Sequence, residues 1–414
     1  MDDEDKVGNV PDGEERLEDH EAELSAREAE EELREESGRI SEREYQKMAA
    51  DLRWEVLEYV DAHPDKSVRE IAEFFGIKEG TIRAWKAHST MGTYGKKSSR
   101  DKSLPSPGGQ RPLFKEEKEE SPPPYLSRKR HSNFIHYFDK TPPGIVCPHF
   151  YILAHANGCP FACHYCYLKL TLRHYPEPTV FTNTARMFQE IREWLMSLTE
   201  PAVLNTGELS DSLGWDMHTR LSKNLVPLFE NQNKHKLLFL TKSAQVDNLL
   251  KMEPTKQVVV SFSVNASKVS EMYEKASPPP EKRLDAARRV KEHGYEVRLR
   301  LDPMIPVEGW EKHYADIIEK MNRVDPAIVT LGSLRYFRNL TNHTPKDTDV
   351  FEYGHDHGDP DGRLRIERDT RLEMYRFCLD RLPSVRVGLC KETADVHREL
   401  GLPGVNQSCN CTPE

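Results

Sequence analysis

Between residues 149 and 331 short strand-like runs alternate with helical stretches, and this alternation most narrows the folds open to the chain. The candidate strands are 149–154, 202–206, 236–241, 258–264, 296–301 and 327–331. The helical stretches between them are 183–198, 217–232, 246–251, 280–293 and 310–322. Strands that alternate with helices build parallel βαβ units with right-handed crossovers. Six such strands suit an α/β fold, a partial (β/α)6 barrel of TIM type with its active site at the carboxyl ends of the strands. The expected barrel domain is 131–345. Residues 346–414 form a C-terminal extension with a helix at 370–382, a strand at 385–389 and a cysteine-bearing tail.

The first 130 residues have a different texture. Residues 1–45 hold 19 Asp and Glu against 6 Lys and Arg, a net charge of −13. The whole chain carries −10, so the rest of it is close to neutral, at about +3. So acidic a segment buries too little apolar surface to offset its ordering entropy, and disorder or a single charged helix is expected. Residues 46–89 read as three helices. Leu52, Val56, Leu57 and Val60 lie at helical spacing in 48–60, and Pro64 breaks that helix. Ser67 with Glu70 forms a capping box for a second helix at 68–75, closed by Gly76. A third helix at 79–88 presents Thr81, Arg83 and Lys86, with Ile82 and Trp85 inward. The pattern is a helix-turn-helix and resembles the small DNA-binding modules of phage terminases and transposases. A three-helix module that docks protein is the alternative. Residues 90–130 read as a Ser-, Pro- and Gly-rich linker, and its basic clusters around Lys96 and Arg128 suit either phosphates or plain solvation.

No apolar run nears the ~18 residues of a membrane span, and the acidic start is unlike a secretory or transit peptide. Together these point to a cytoplasmic chain in which eight cysteines serve metal or redox chemistry more than disulfides.

Three of those cysteines, Cys159, Cys163 and Cys166, follow the first candidate strand in a Cys-x3-Cys-x2-Cys spacing. A cubane iron–sulfur cluster normally takes four cysteines, so three leave one iron open to a ligand. Zinc is the alternative, with a fourth ligand from His149, His155 or His164.

The loop in this position resembles that of radical S-adenosylmethionine (SAM) enzymes. The likeness extends to the spore photoproduct lyase group through 157–168, Val180-Phe-Thr-Asn183, Leu240-Thr-Lys-Ser243, Ser261-Phe-Ser-Val-Asn-Ala266 and Glu308-Gly-Trp310. The resemblance implies that the three thiolates hold a 4Fe–4S cluster and that SAM chelates its open iron. Electron transfer, from a reducing partner such as a flavodoxin or ferredoxin, then yields a 5′-deoxyadenosyl radical. The cluster and SAM carry the chemistry while the protein orients them.

The same resemblance implies roles for other residues. Gly207, Glu208, Ser210 and Asp211 stand where relatives hold the amino group of SAM; the alternative for Asp211 is a helix cap. Lys242 stands near the SAM carboxylate. Ser261 and Ser263, two apart on one strand face, are placed for the ribose, or for local backbone. Arg298 and Arg300 share an inward face on the fifth strand, as cofactor or substrate contacts or as salt-bridged barrel arginines.

One position departs from the family. Spore photoproduct lyase returns a hydrogen atom to its substrate radical from a cysteine, and here Glu208 occupies that place. A carboxylic O–H is too strong to be a good donor. Tyr167, Tyr165 or another thiol is therefore a candidate, and Glu208, Tyr167 and Cys390 form the expected catalytic set. Cys390, Cys409 and Cys411 have three open readings: a second cluster or metal, a catalytic thiol at the barrel mouth, or unpaired structural thiols. Cys147 and Cys378 read as structural.

The function expected from the resemblance is a radical SAM lyase for DNA photoproduct repair, or a DNA base modification. The alternatives are radical chemistry on RNA, a peptide or a metabolite, and a non-catalytic DNA-binding metalloprotein.

Overall fold

The computed structural model describes residues 66–75, 82, 125–174 and 177–413. Contacts divide the chain into two units, Met1–Pro122 and Pro123–Glu414. In the first, Val68–Phe75 is a helix with the bounds its sequence implies. Ser67 N donates to Glu70 Oε2 at 2.7 Å and Glu70 N donates to Ser67 Oγ at 3.2 Å, so each side chain satisfies the other's orphan amide. Ile71, Ala72 and Ile82 are buried. The acidic segment, the first expected helix, the third apart from Ile82, and the linker up to residue 124 lie outside the described residues.

The second unit is built on parallel strands in sequence order: β1 (Phe150–Leu153), β2 (Val203–Asn205), β3 (Lys236–Thr241), β4 (Val258–Val264), β5 (Glu296–Met304) and β6 (Ile328–Ser333). Each pairs in parallel with the next. All six expected strands are present. Two corrections apply at the edges. β7 (Arg386–Leu389) joins β6 in parallel, with Leu389 beside Leu331, so the expected boundary at 345/346 falls within one sheet. On the other edge Ile135–Phe138 lies antiparallel to β1. The result is an open eight-stranded sheet with seven parallel strands. β5 runs past its expected end at Leu301, through a register shift before Met304.

Five helices of nine residues or more lie among the described connections: α1 (Thr184–Ser197), α2 (Leu221–Phe229), α3 (Pro280–His293), α4 (Trp310–Val324) and α5 (Arg368–Asp380). The single helix expected at 217–232 is instead two, Asp216–Thr219 and α2, broken at Arg220 with φ of +51°. The buried Asp216 carboxylate holds this break by accepting from Ser222 N at 2.8 Å and Ser222 Oγ at 2.7 Å. The stretch 246–251 keeps only a 3-10 turn at Leu249–Lys251. A helix at Ser267–Tyr273 was not among the expected ones.

Strand alternation sorts the core. Val258, Val260, Phe262 and Val264 of β4 belong to the main apolar cluster with Leu237, Phe239, Val297, Leu299 and Leu301. Burying each such side chain contributes about 1.5–3 kcal/mol. The alternate positions include Ser261, Ser263, Arg298 and Arg300, and the chemistry of the barrel interior comes from them.

Candidate active site

The carboxyl ends of the strands bring the expected residues to one mouth. The cysteine loop follows β1, the 207–211 loop follows β2, Lys242 follows β3, Asp302 lies near the end of β5, and Cys390 follows β7. The cysteine loop is fixed from outside the motif. Ala162–Cys163 pairs antiparallel with Glu274–Lys275, placing Cys163 beside Glu274, and His164 N donates to Tyr273 O at 2.8 Å.

Glu274 is a site residue that sequence reasoning missed. It is buried, takes Arg283 Nη2 at 2.6 Å and lies 3.6 Å from Lys242 Nζ. It also accepts from the Tyr165 hydroxyl. Lys242 Nζ donates to Ser263 Oγ at 2.9 Å, so one buried carboxylate orients Lys242 and Tyr165 and, through Lys242, Ser263. Burial by itself would raise the Glu274 pKa, but Lys242, Arg283 and the Tyr165 hydroxyl hold it at about 2. The folded value lies below the unfolded one of about 4.3, so this carboxylate stabilises the fold above pH ~4.3. The contribution is lost as pH falls from there toward about 2. Melting the wild type and Glu274→Gln across this range should give curves roughly 3 kcal/mol apart near neutrality that converge in acid.

The loop after β2 is equally ordered. Glu208 Oε1 accepts from Asn205 Nδ2 at 3.1 Å, and the Tyr167 hydroxyl donates to the Glu208 carbonyl and lies 3.3 Å from Oε2. A Cβ on Gly207 would lie 2.7 Å from the Leu240 carbonyl oxygen, so close approach of β3 explains this glycine. Asp211 Oδ1 accepts from Leu213 N at 3.0 Å and Thr241 Oγ1 at 2.6 Å, and Oδ2 accepts from Lys242 N at 2.7 Å. It serves the local backbone and ties the ends of β2 and β3 together. Ser210 Oγ is different: it is buried and has no hydrogen-bond partner among the described residues, and the same holds for Asn157 Oδ1. Unpaired buried oxygens are costly and point to a missing polar ligand.

Two expected cofactor contacts are engaged elsewhere. Arg298 is fully buried, pairs with Glu296 at 2.6 Å, and donates from Nη1 to the carbonyls of Cys409, Asn410 and Thr412 at 3.0, 3.1 and 2.6 Å. Ser261 Oγ accepts from Asn410 Nδ2 at 2.5 Å. Both expectations are thereby corrected: residues 409–412 fill the amino-terminal half of the barrel, and these two side chains hold them. A reading confined to 140–340 could not see this, because the partner segment lies more than 100 residues away.

The other cysteine readings also change. His149 contacts the Tyr137 hydroxyl at 3.1 Å, His155 the Thr206 carbonyl at 3.0 Å and His164 the Thr348 hydroxyl at 2.9 Å, so each candidate fourth zinc ligand is engaged. Among the described residues no three His, Cys, Asp or Glu side chains are gathered around a single ion position, Cys159, Cys163 and Cys166 included. Cys390 Sγ accepts from Arg300 Nη2 at 2.9 Å and Arg335 Nη2 at 3.0 Å, so two donors already occupy the sulfur lone pairs that a metal would need. Cys147, expected to be structural, stands close to Cys390 and Cys411. Burial and those thiols push it up to about 12. Cys378 is buried in α5 at 3.7 Å from Met304 Sδ.

The open parallel barrel carries three cysteines on the loop after its first strand, the arrangement that the resemblance to radical SAM enzymes implies. Residues 138–336, a little under half of the chain, match the family model described as spore photoproduct lyase. It is 30% identical over 190 residues to the spore photoproduct lyase of Bacillus subtilis (strain 168), covering 46% of this chain and 54% of that one. It is 29% identical over 187 residues to that of a Geobacillus species, covering 45% and 54%. The chain thus spans about half the length of these curated relatives. A crystal structure of spore photoproduct lyase complexed with dinucleoside spore photoproduct superposes with a TM-score of 0.55 at 23% identity, over 64% of this chain and 82% of that one. A mutant with bound AdoMet (SAM) and dinucleoside spore photoproduct gives 0.54 at 23%, over 64% and 81%.

The family uses a 4Fe–4S cluster and SAM. The residues present fit both groups. Three uncommitted thiols share one clamped loop, and Ser210 Oγ is a buried polar atom that lacks a partner. Burial raises all three thiols, Cys163 to about 12, while Lys242 draws Cys163 and Cys166 back toward the thiolate that iron requires.

Proposed function

We propose that this chain is a radical SAM lyase that acts on photoproducts of DNA. The observation that carries the reading is the clamped Cys159–Cys163–Cys166 loop at the carboxyl mouth of the barrel. When bound, the cluster and SAM supply a 5′-deoxyadenosyl radical. Cys159, Cys163 and Cys166 hold the cluster. Ser210 and Glu208 would hold the SAM amino group, and Lys242, braced by Glu274 and hydrogen-bonded to Ser263, would hold its carboxylate. Asp211 positions both loops. Tyr167, hydrogen-bonded to Glu208, lines the path to the substrate.

Residues 46–89 localise the enzyme on duplex DNA, and the barrel takes an extruded nucleotide, because a stacked base is out of reach. A flavodoxin- or ferredoxin-type reductant delivers the electron. The chain works in the cytoplasm. No helix among the described residues is long and apolar enough to cross a membrane.

Anaerobic reconstitution, then dithionite reduction with SAM and UV-irradiated DNA, tests the reading. The expected result is 5′-deoxyadenosine together with loss of DNA photoproduct. 5′-Deoxyadenosine without any change in photoproduct content would defeat the lyase reading. Deleting 46–89 should weaken duplex binding and flatten its salt dependence, since phosphate contacts are lost. Unchanged binding would remove DNA from the role of that module.

A further inference from the structure

A radical abstraction leaves a carbon radical on the substrate, and that carbon must recover a hydrogen atom before release. The residue at the mouth where the family keeps its donor thiol is Glu208, whose O–H bond is too strong for the task. Four other thiols stand in or beside the barrel: Cys147, Cys390, Cys409 and Cys411. Cys147 Sγ is 3.6 Å from the Pro148 carbonyl, a local acceptor for its proton. Cys409 and Cys411 are hydrogen-bonded to each other, and Cys411 packs against Val203, Leu238 and Val259. Cys390 differs from all three. It follows β7, so it opens on the carboxyl mouth, and it is partly exposed.

Its surroundings are built with care. Cys390 N donates to Leu331 O at 2.7 Å, fixing the residue to the end of β6. Arg300 and Arg335 both donate to its sulfur, and both are held by Asp302. Arg335 Nη1 reaches Oδ1 at 2.7 Å, and Arg300 Nε reaches Oδ2 at 2.9 Å. The sulfur is an acceptor in both bonds, and its own proton remains uncommitted.

We propose that Cys390 is the hydrogen-atom donor of this enzyme, with Arg300 and Arg335 as positioning residues that aim its S–H into the barrel mouth. This assignment rests on the radical reading above. One S–H bond breaks homolytically and one C–H bond forms on the substrate radical, leaving a thiyl radical on Cys390. One electron from the flavodoxin- or ferredoxin-type reductant and one proton from solvent restore the thiol, so each repaired product consumes one SAM. The exchange is balanced and needs no outside oxidant.

The donor must be a thiol and not a thiolate, since a thiolate has no hydrogen atom to give. The charged and titratable groups that face it are Arg300 and Asp302 from β5, Arg335 after β6, Lys391 beside it and Cys147 before β1. Burial raises the Cys390 thiol; the two arginines and Lys391 lower it and Asp302 raises it, and the balance lies on the protonated side.

Two measurements test the proposal. In the reconstituted enzyme, Cys390→Ser and Cys390→Ala should still form 5′-deoxyadenosine, but repaired product per SAM consumed should fall roughly tenfold or more, while Cys411→Ala and Cys147→Ala stay coupled. Normal coupling in Cys390→Ser, or a loss that follows Cys411 or Cys147 instead, overturns the assignment. If the wild type forms no 5′-deoxyadenosine, the radical reading itself has failed. The second measurement is independent of turnover: iodoacetamide labelling of the purified chain, read at each cysteine by mass spectrometry from neutral to alkaline pH. Cys390 should label only as the solution becomes alkaline. An apparent pKa below about 8 would mean a thiolate held by two arginines and would exclude it as donor.

Discussion

Replacing any one of Cys159, Cys163 and Cys166 with alanine should reduce bound iron from about four atoms per chain to near none after reconstitution. Iron and sulfide analysis and the visible charge-transfer absorbance report this directly. SAM cleavage should fall by more than ~100-fold, since the effect removes a cofactor and not one contact. The three are not interchangeable in their surroundings. Cys163 is tied by strand pairing to Glu274, whereas Cys159 Sγ accepts from Phe161 N at 3.5 Å. Cys378→Ala, deep in α5, should leave iron content unchanged. The contrary result would be full iron in Cys166→Ala together with its loss in Cys411→Ala, which would place the cluster on the C-terminal segment.

How much of this was legible in the sequence depended on distance along the chain. β3, β4 and α3 have the bounds their sequences imply, because apolar period and end signals are local properties. The Ser67–Glu70 capping box is equally local. The inward faces of Ser261, Ser263, Arg298 and Arg300 followed from the period of two. What those side chains touch did not follow, because the partner of Arg298 is 111 to 114 residues away. Glu274 was missed for a related reason. It lies in a two-residue strand with no periodicity, and its importance comes from four other elements that converge on it. The break at Arg220 was hidden by good helical spacing on both sides and is set by one buried aspartate.

The other large effect concerns the segment that no family motif covers. Residues 407–412 thread into the amino-terminal half of the barrel with strand-like precision. Gln407 donates to Leu389 O and accepts from Leu389 N, both at 2.7 Å, as a neighbouring strand would. A Cβ on Gly388 would lie 2.2 Å from the Ser408 carbonyl, so the segment rests directly on the β7 backbone. Asn410 N donates to Thr330 Oγ1 at 2.9 Å. Deleting 409–414 would leave Arg298 without its three carbonyl acceptors while it stayed buried beside Glu296. Breaking a buried, charge-assisted set from one side costs about 3–5 kcal/mol, and for a domain of this size that lowers Tm by roughly 6–20 °C. Arg298→Met should cost a comparable amount, because it strands the same carbonyls. The two changes share one set of bonds, so their effects should not add: the deletion in the Arg298→Met background should cost well under half of what it costs alone. Additive losses, or a deletion that leaves Tm within about 2 °C of the wild type, would mean that the segment only covers the barrel. A non-additive loss makes it a structural part of the barrel, closing the end opposite to Cys390 and Glu208.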